Sequence, residues 1–180
     1  MGTSMPSFVV TVLALAGAGW DLSTRRVPNV FTFGAAALAL VYFAVAGGTA
    51  GAAWSALGWA TGLALFLPLF AVGALGAGDV KLLAAFGAWL GPSGALWSAL
   101  WGALLGGVMA LVVAAFNGYL RQALRNLFAI LSVWRVLGPC RVAGLTLDDA
   151  TGPRLAYAVP IAAGAMLALF RGICNRKEDA

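Results

Sequence analysis

Histidine is missing altogether from these 180 residues, and charge is scarce: 11 Lys and Arg and 6 Asp and Glu make up 9% of the chain. Without histidine there is no Ser-His-Asp triad, no Cys-His pair and no H-E-x-x-H zinc site. The two cysteines, Cys140 and Cys174, are far apart in sequence and form no C-x-x-C pair. They suggest neither a metal site nor a disulfide framework, and read as small apolar residues. No metal or cofactor is expected. The hydrophobic fraction is 62%, against roughly 45 to 50% in soluble domains. That composition predicts a single integral membrane domain over residues 1–180, with no separate soluble domain. The net charge of +5 does not come from an aromatic-interleaved basic patch, so the expected partner is a lipid bilayer and not nucleic acid.

Apolar stretches run from about Pro6 to Trp20, Val30 to Ala46, Ala53 to Leu75, Val80 to Leu90, Ala95 to Phe116 and Leu155 to Phe170. Turn chemistry separates them at Pro28-Asn29, Gly47-Gly48, residues 76–78, residues 91–94 and residues 151–153. The pattern predicts an all-α, polytopic fold with about six transmembrane helices. With the N-terminus and C-terminus both outside, eight of the eleven basic residues fall on or near the cytoplasmic side, leaving Arg171, Arg176 and Lys177 outside. The first twenty residues carry no Lys or Arg and are read as a retained span, not a signal peptide. Val80 to Leu90 is too short: as a helix it rises about 16 Å against a hydrocarbon core of roughly 30 Å. Either the turn holding Asp79 is recessed into the membrane, the reading favoured by the sequence, or the break at residues 91–94 stops below the outer surface. A kinked continuous helix through Pro92, giving five spans, is the alternative. The connection 117–153 is expected on the cytoplasmic side, with a helix from Tyr119 to Leu137 that is basic on one face and apolar on the other. Such a helix suits a membrane surface.

Only six acids remain to be placed. Asp148 and Asp149 sit in a polar connection and Glu178 and Asp179 in the tail, whereas Asp21 and Asp79 stand at the ends of long apolar segments. Charge at membrane depth costs roughly 2.5 to 3.5 kcal/mol on insertion scales, so acids kept there point to a function. Two carboxylates a few ångströms apart share a proton, letting one act as base on water while the other hydrogen-bonds a scissile carbonyl. Hydrolysis by such a pair needs none of the absent residues. Gly76-Ala77-Gly78-Asp79 is a G-x-G-D turn, in which the glycines let the backbone bend sharply and let a substrate strand approach the acid. A plain glycine-rich hairpin would read the same way.

The run Asp21-Leu22-Ser23-Thr24-Arg25-Arg26-Val27-Pro28-Asn29, with Gly76 to Gly91 (GAGDVKLLAAFGAWLG) further on, resembles the type IV prepilin peptidase family. The resemblance implies an aspartic endopeptidase that removes basic leaders from prepilins or pseudopilins at the cytoplasmic face of a bacterial inner membrane. By that resemblance Asp21 and Asp79 form the catalytic pair, supported by Gly76, Gly78, Lys81, Pro28 and Asn29. Val27-Pro28 stands where the family usually has Ile-Pro, and Lys81 either biases the acid's ionisation or marks the inner surface. The chain is similar to the small, peptidase-only form of Flp/Tad pilus systems, which implies pilus assembly or secretion machinery as a partner. Lacking the paired-cysteine region of larger members, it is not expected to methylate. Three other readings stand beside this one: a presenilin-like protease with the same G-x-G-D but other helical substrates, a small ion-coupled transporter or channel subunit using the two acids, and boundary charges balanced by Arg25, Arg26 and Lys81.

Overall fold

The computed structural model describes residues 4–24, 27–142, 144 and 156–178, and every regular element among them is helical. Five helices follow in order: α1 (Ser4–Thr24), α2 (Asn29–Ala71), α3 (Ala77–Phe116), α4 (Leu120–Leu137) and α5 (Ala158–Glu178). Arg25, Arg26, Asp148, Asp149 and the break at residues 151–153 lie outside the described residues. The first three helices are long and apolar enough to cross a membrane, while the apolar part of α5, Ala158–Cys174, is shorter. The outer surface of the bundle is itself apolar, with Val30 85%, Val45 84% and Phe116 88% exposed. Large apolar areas of that kind are not left facing water; this is a membrane protein.

A straight helix of 43 residues would be about 65 Å long, and α2 is not straight. Gly48 sits at φ 61°, ψ −147°, and the chain reverses there: the Phe43 and Trp54 rings lie 4.8 Å apart, and Gly51 packs on the carbonyl of Phe43. Two residues twenty apart, Ala35 and Ser55, therefore bond to neighbours on α3. The Trp89 indole N–H donates to the Ala35 carbonyl at 2.9 Å, and the Ser55 hydroxyl donates to the Ala88 carbonyl at 2.9 Å. Gly91 makes the second reversal at φ 72°, ψ −178°. A β-carbon on Gly87 would stand 3.1 Å from that of Ala95, eight residues and about 12 Å along an unbroken helix. Both bends use a positive φ that only glycine adopts without strain, and Pro92 then opens the returning arm, where its missing N–H is no loss. The continuous helix through Pro92 is thereby excluded.

At the centre lies the first arm of α3, where Leu82 to Ala88 are buried on every side. A helix apolar all round belongs in a core. The returning arm of α2 runs antiparallel to it in close register, Gly62 against Ala84, Gly58 against Gly87 and Trp54 against Gly91. A β-carbon on Gly58 would stand 2.1 Å from the Gly87 carbonyl oxygen. The backbones touch there, a contact open only to the smallest residues. The short segment noted in the sequence is this arm, and its shortfall appears at the Gly91 bend: Gly91 lies level with Trp54, six residues and about 9 Å short of the Gly48 bend.

On the other side of α3, its second arm packs against α5 through Gly102, Gly106 and Gly164. Helix α4 has its apolar residues Leu124, Leu127 and Leu131 uncovered and no buried residue at all. The segment after it returns to the bundle, where the Arg141 guanidinium donates to the Ala71 carbonyl at 2.9 Å at the end of α2.

Candidate active site

Asp21 lies in the last turn of α1 and Asp79 in the first turn of α3. Their meeting follows from one contact. Gly17 of α1 faces Leu82 of α3, with a β-carbon there 3.2 Å from the leucine methyl. Asp21 is one turn past Gly17 and Asp79 one turn before Leu82, so both side chains project from the same end of the bundle at the same level. Each carboxylate lies within electrostatic reach of the other.

Asp79 is held by its own turn. Gly76 precedes the helix in an extended conformation, φ −78°, ψ 151°, and its N–H donates to Asp79 Oδ2 at 3.2 Å. This is the acid half of a capping box, and an anion at a helix start also suits the helix dipole. A β-carbon on Gly76 would stand 3.1 Å from that oxygen, and one on Gly78 would stand 3.8 Å from Val27. The two glycines of the motif thus have separate jobs, one against the carboxylate and one against the chain that follows Asp21.

Asp21 is 8% exposed, and its Oδ2 accepts the Ala158 N–H at 3.1 Å. Ala158 is the first residue of α5, so the carboxylate caps a helix from another part of the chain. Each aspartate thereby spends one oxygen on a backbone N–H, which fixes its rotamer. Its second oxygen makes no hydrogen bond among the described residues.

Lys81, Asn29 and Pro28 link the two segments that carry the aspartates. Lys81 donates to Asn29 Oδ1 at 2.9 Å and lies over the Phe33 ring, 5.6 Å from its centre. The bond ties the second sequence segment to the first. Pro28 starts α2, its carbonyl accepting the N–H groups of Phe31 and Thr32. No group of three or more Cys, Asp or Glu that could hold a metal occurs among the described residues.

Sequence reasoning missed the contribution of α5. Besides the Ala158 N–H it brings Tyr157, whose ring lies on Gly106, a β-carbon there being 2.7 Å from the phenol oxygen. The phenol is within electrostatic reach of Asp79. Tyrosine occurs only three times in the chain, and one of these directly before an apolar helix is the signal that could have marked it.

The structure is thus that of a helical membrane protein with two carboxylates at one end of its bundle. The model of the type IV leader peptidase family matches residues 8–111, which include both Asp21 and Asp79, and the chain belongs to that family. It is a peptidase by that membership. No curated protein and no solved structure matched the chain. Tyr157 and Ala158 lie beyond the matched residues.

Proposed function

We propose that the protein is a prepilin leader peptidase that works as an aspartic endopeptidase, with Asp21 and Asp79 as its catalytic residues. The observation that carries this reading is the convergence of the two carboxylates, each anchored through one oxygen and open through the other. One carboxylate takes a proton from the bound water as its oxygen attacks the scissile carbonyl. The other, protonated, donates to the carbonyl oxygen. Collapse of the tetrahedral intermediate breaks the C–N bond, and the proton passes to the leaving amine. Tyr157, within electrostatic reach of Asp79, is the proposed donor to the developing oxyanion.

The substrate reading rests on family membership and on the site's position at the end of the bundle. A prepilin's apolar helix lying in the bilayer presents its basic leader at the membrane boundary, beside the pair. Six passes of the chain along the bundle support six crossings, and the distribution of Lys and Arg favours the carboxylate end as the cytoplasmic side of a bacterial inner membrane. Prepilins or pseudopilins of a Flp/Tad-type system, with their assembly machinery, are the proposed partners. Leader removal is the proposed activity. Helix α4, apolar on one uncovered side, then lies on the inner membrane surface.

The test replaces Asp21 or Asp79 with Asn and follows leader removal from a co-expressed prepilin. Loss of processing at unchanged expression is expected from either change. Full processing by either variant sinks the mechanism.

A further inference from the structure

The end of the bundle away from the carboxylates holds a cavity of about 670 Å³. It exists because the first arm of α3 stops at Gly91, about 9 Å short of the Gly48 bend, leaving the space above it between α2 and α5. Its walls are aromatic: Tyr42, Phe43, Trp54, Trp89 and Trp97 all line it. Among the described lining residues Arg171 of α5 is the one charged side chain, and none is Asp or Glu. The guanidinium carbon sits 3.4 Å from the centre of the Trp97 ring, so the cation is held at the cavity by stacking. The two acids of the hydrolytic site are at the opposite end and cannot neutralise it.

We infer that this cavity is a binding site for an anionic phospholipid of the surrounding bilayer, its phosphate on Arg171 and an acyl chain against the aromatic walls. Charge complementarity selects the headgroup, since a planar guanidinium with no Asp or Glu beside it among the described lining residues pairs with a phosphate through two parallel hydrogen bonds. The shape of the site suits the rest of the occupant. Its walls come from α1, α2, α3 and α5 of one chain, and a single flexible chain can thread between them. Volume and lining both match those of sites for small apolar ligands with one polar anchor. The bilayer is the apolar phase that the exposed surface of the bundle already faces. Bound there, a lipid would fill the gap left by the short arm and brace the two bends.

The experiment places the full chain in phosphatidylcholine bilayers with increasing fractions of phosphatidylglycerol brominated on its acyl chains, and reads quenching of tryptophan emission. A parallel series uses brominated phosphatidylcholine. Saturable quenching by the glycerol lipid is expected at a mole fraction about fivefold lower than for the choline lipid. Arg171→Gln removes that difference and leaves quenching by the choline lipid in place. Ser93→Phe, at an exposed position of the cavity rim, fills the space and removes the saturable component for both lipids. Thermal unfolding of each variant, expected to be unchanged for Arg171→Gln, verifies that the fold is intact. Coincident curves for the unaltered protein overturn the inference, as does a preference that survives Arg171→Gln or saturable quenching that survives Ser93→Phe. Exclusion of both lipids, the mark of a protein occupant, overturns it too. Leader cleavage is not read, so the outcome is independent of the proposed activity.

Discussion

Individual side chains at the hydrolytic end act through anchors contributed by distant parts of the chain. Tyr157 is the clearest case, because its phenol is the proposed donor to the substrate oxygen while its ring fills the space over Gly106. Tyr157→Phe keeps the ring and removes the donor. Cleavage of a prepilin should fall about 10- to 100-fold, the worth of one hydrogen bond to a charged group, with the loss in kcat and little change in KM. An unchanged kcat would assign Tyr157 to packing alone. Lys81 and Asn29 act as a unit through their 2.9 Å bond. In a double-mutant cycle, Lys81→Met and Asn29→Ala should each lower cleavage a few-fold, and together by less than the product of the two, with a coupling of about 0.5 kcal/mol or more. Strict additivity would show that the bond does not join the two segments in solution. Asp21, Asp79 and their neighbours were legible in the sequence because acids are costly in apolar segments and because the turn residues around them are specific. Tyr157 and the Ala158 N–H were not, since nothing local in residues 156–158 says which carboxylate the start of α5 will meet.

Elements in this bundle are held by backbone contact, as expected where lipid and protein interior are equally apolar and burial alone gives little drive to associate. The approach of Gly58 to Gly87 makes the consequence specific. Gly58→Val would place its β-carbon 2.1 Å from a backbone oxygen, which no side-chain rotation relieves, so α2 and α3 must separate. A loss of about 2 to 3 kcal/mol is expected, read as a lower unfolding midpoint in detergent. Gly107→Ala is the control: nothing lies within 4 Å of a β-carbon there. Stability at that position should stay the same or rise by up to about 1 kcal/mol from helix propensity. Equal behaviour of the two variants would refute the contact. The helix segments themselves could be read from apolar runs and glycine breaks, and the short fourth run announced that one arm would fall short. Which end would be short could not be read, because it depends on the register of α3 against α2, set by the contacts of Gly62 with Ala84, Gly58 with Gly87 and Trp54 with Gly91.

For the molecule as a whole, the order of reversals brings the N-terminal turn of α1 and the C-terminal part of α5 to one end, where Pro6 and Arg171 line the same cavity, and both aspartates to the other. The chain carries its own probes of how this axis sits in a membrane. Cys174, exposed, lies in α5 beyond Arg171 at the cavity end. Cys140 lies just before Arg141, whose bond to the Ala71 carbonyl places it at the carboxylate end. The excess of Lys and Arg near the carboxylates favours that end inside. A membrane-impermeant maleimide added to intact spheroplasts should therefore label the Cys140→Ser variant, through Cys174, and leave the Cys174→Ser variant unlabelled until the membrane is opened. The substitutions are small and neither residue is placed in the hydrolytic site, so both variants should still process prepilin. Labelling of Cys140 from outside would put the carboxylate pair on the wrong face for a leader that never leaves the cytoplasm, and the prepilin reading would fall with it.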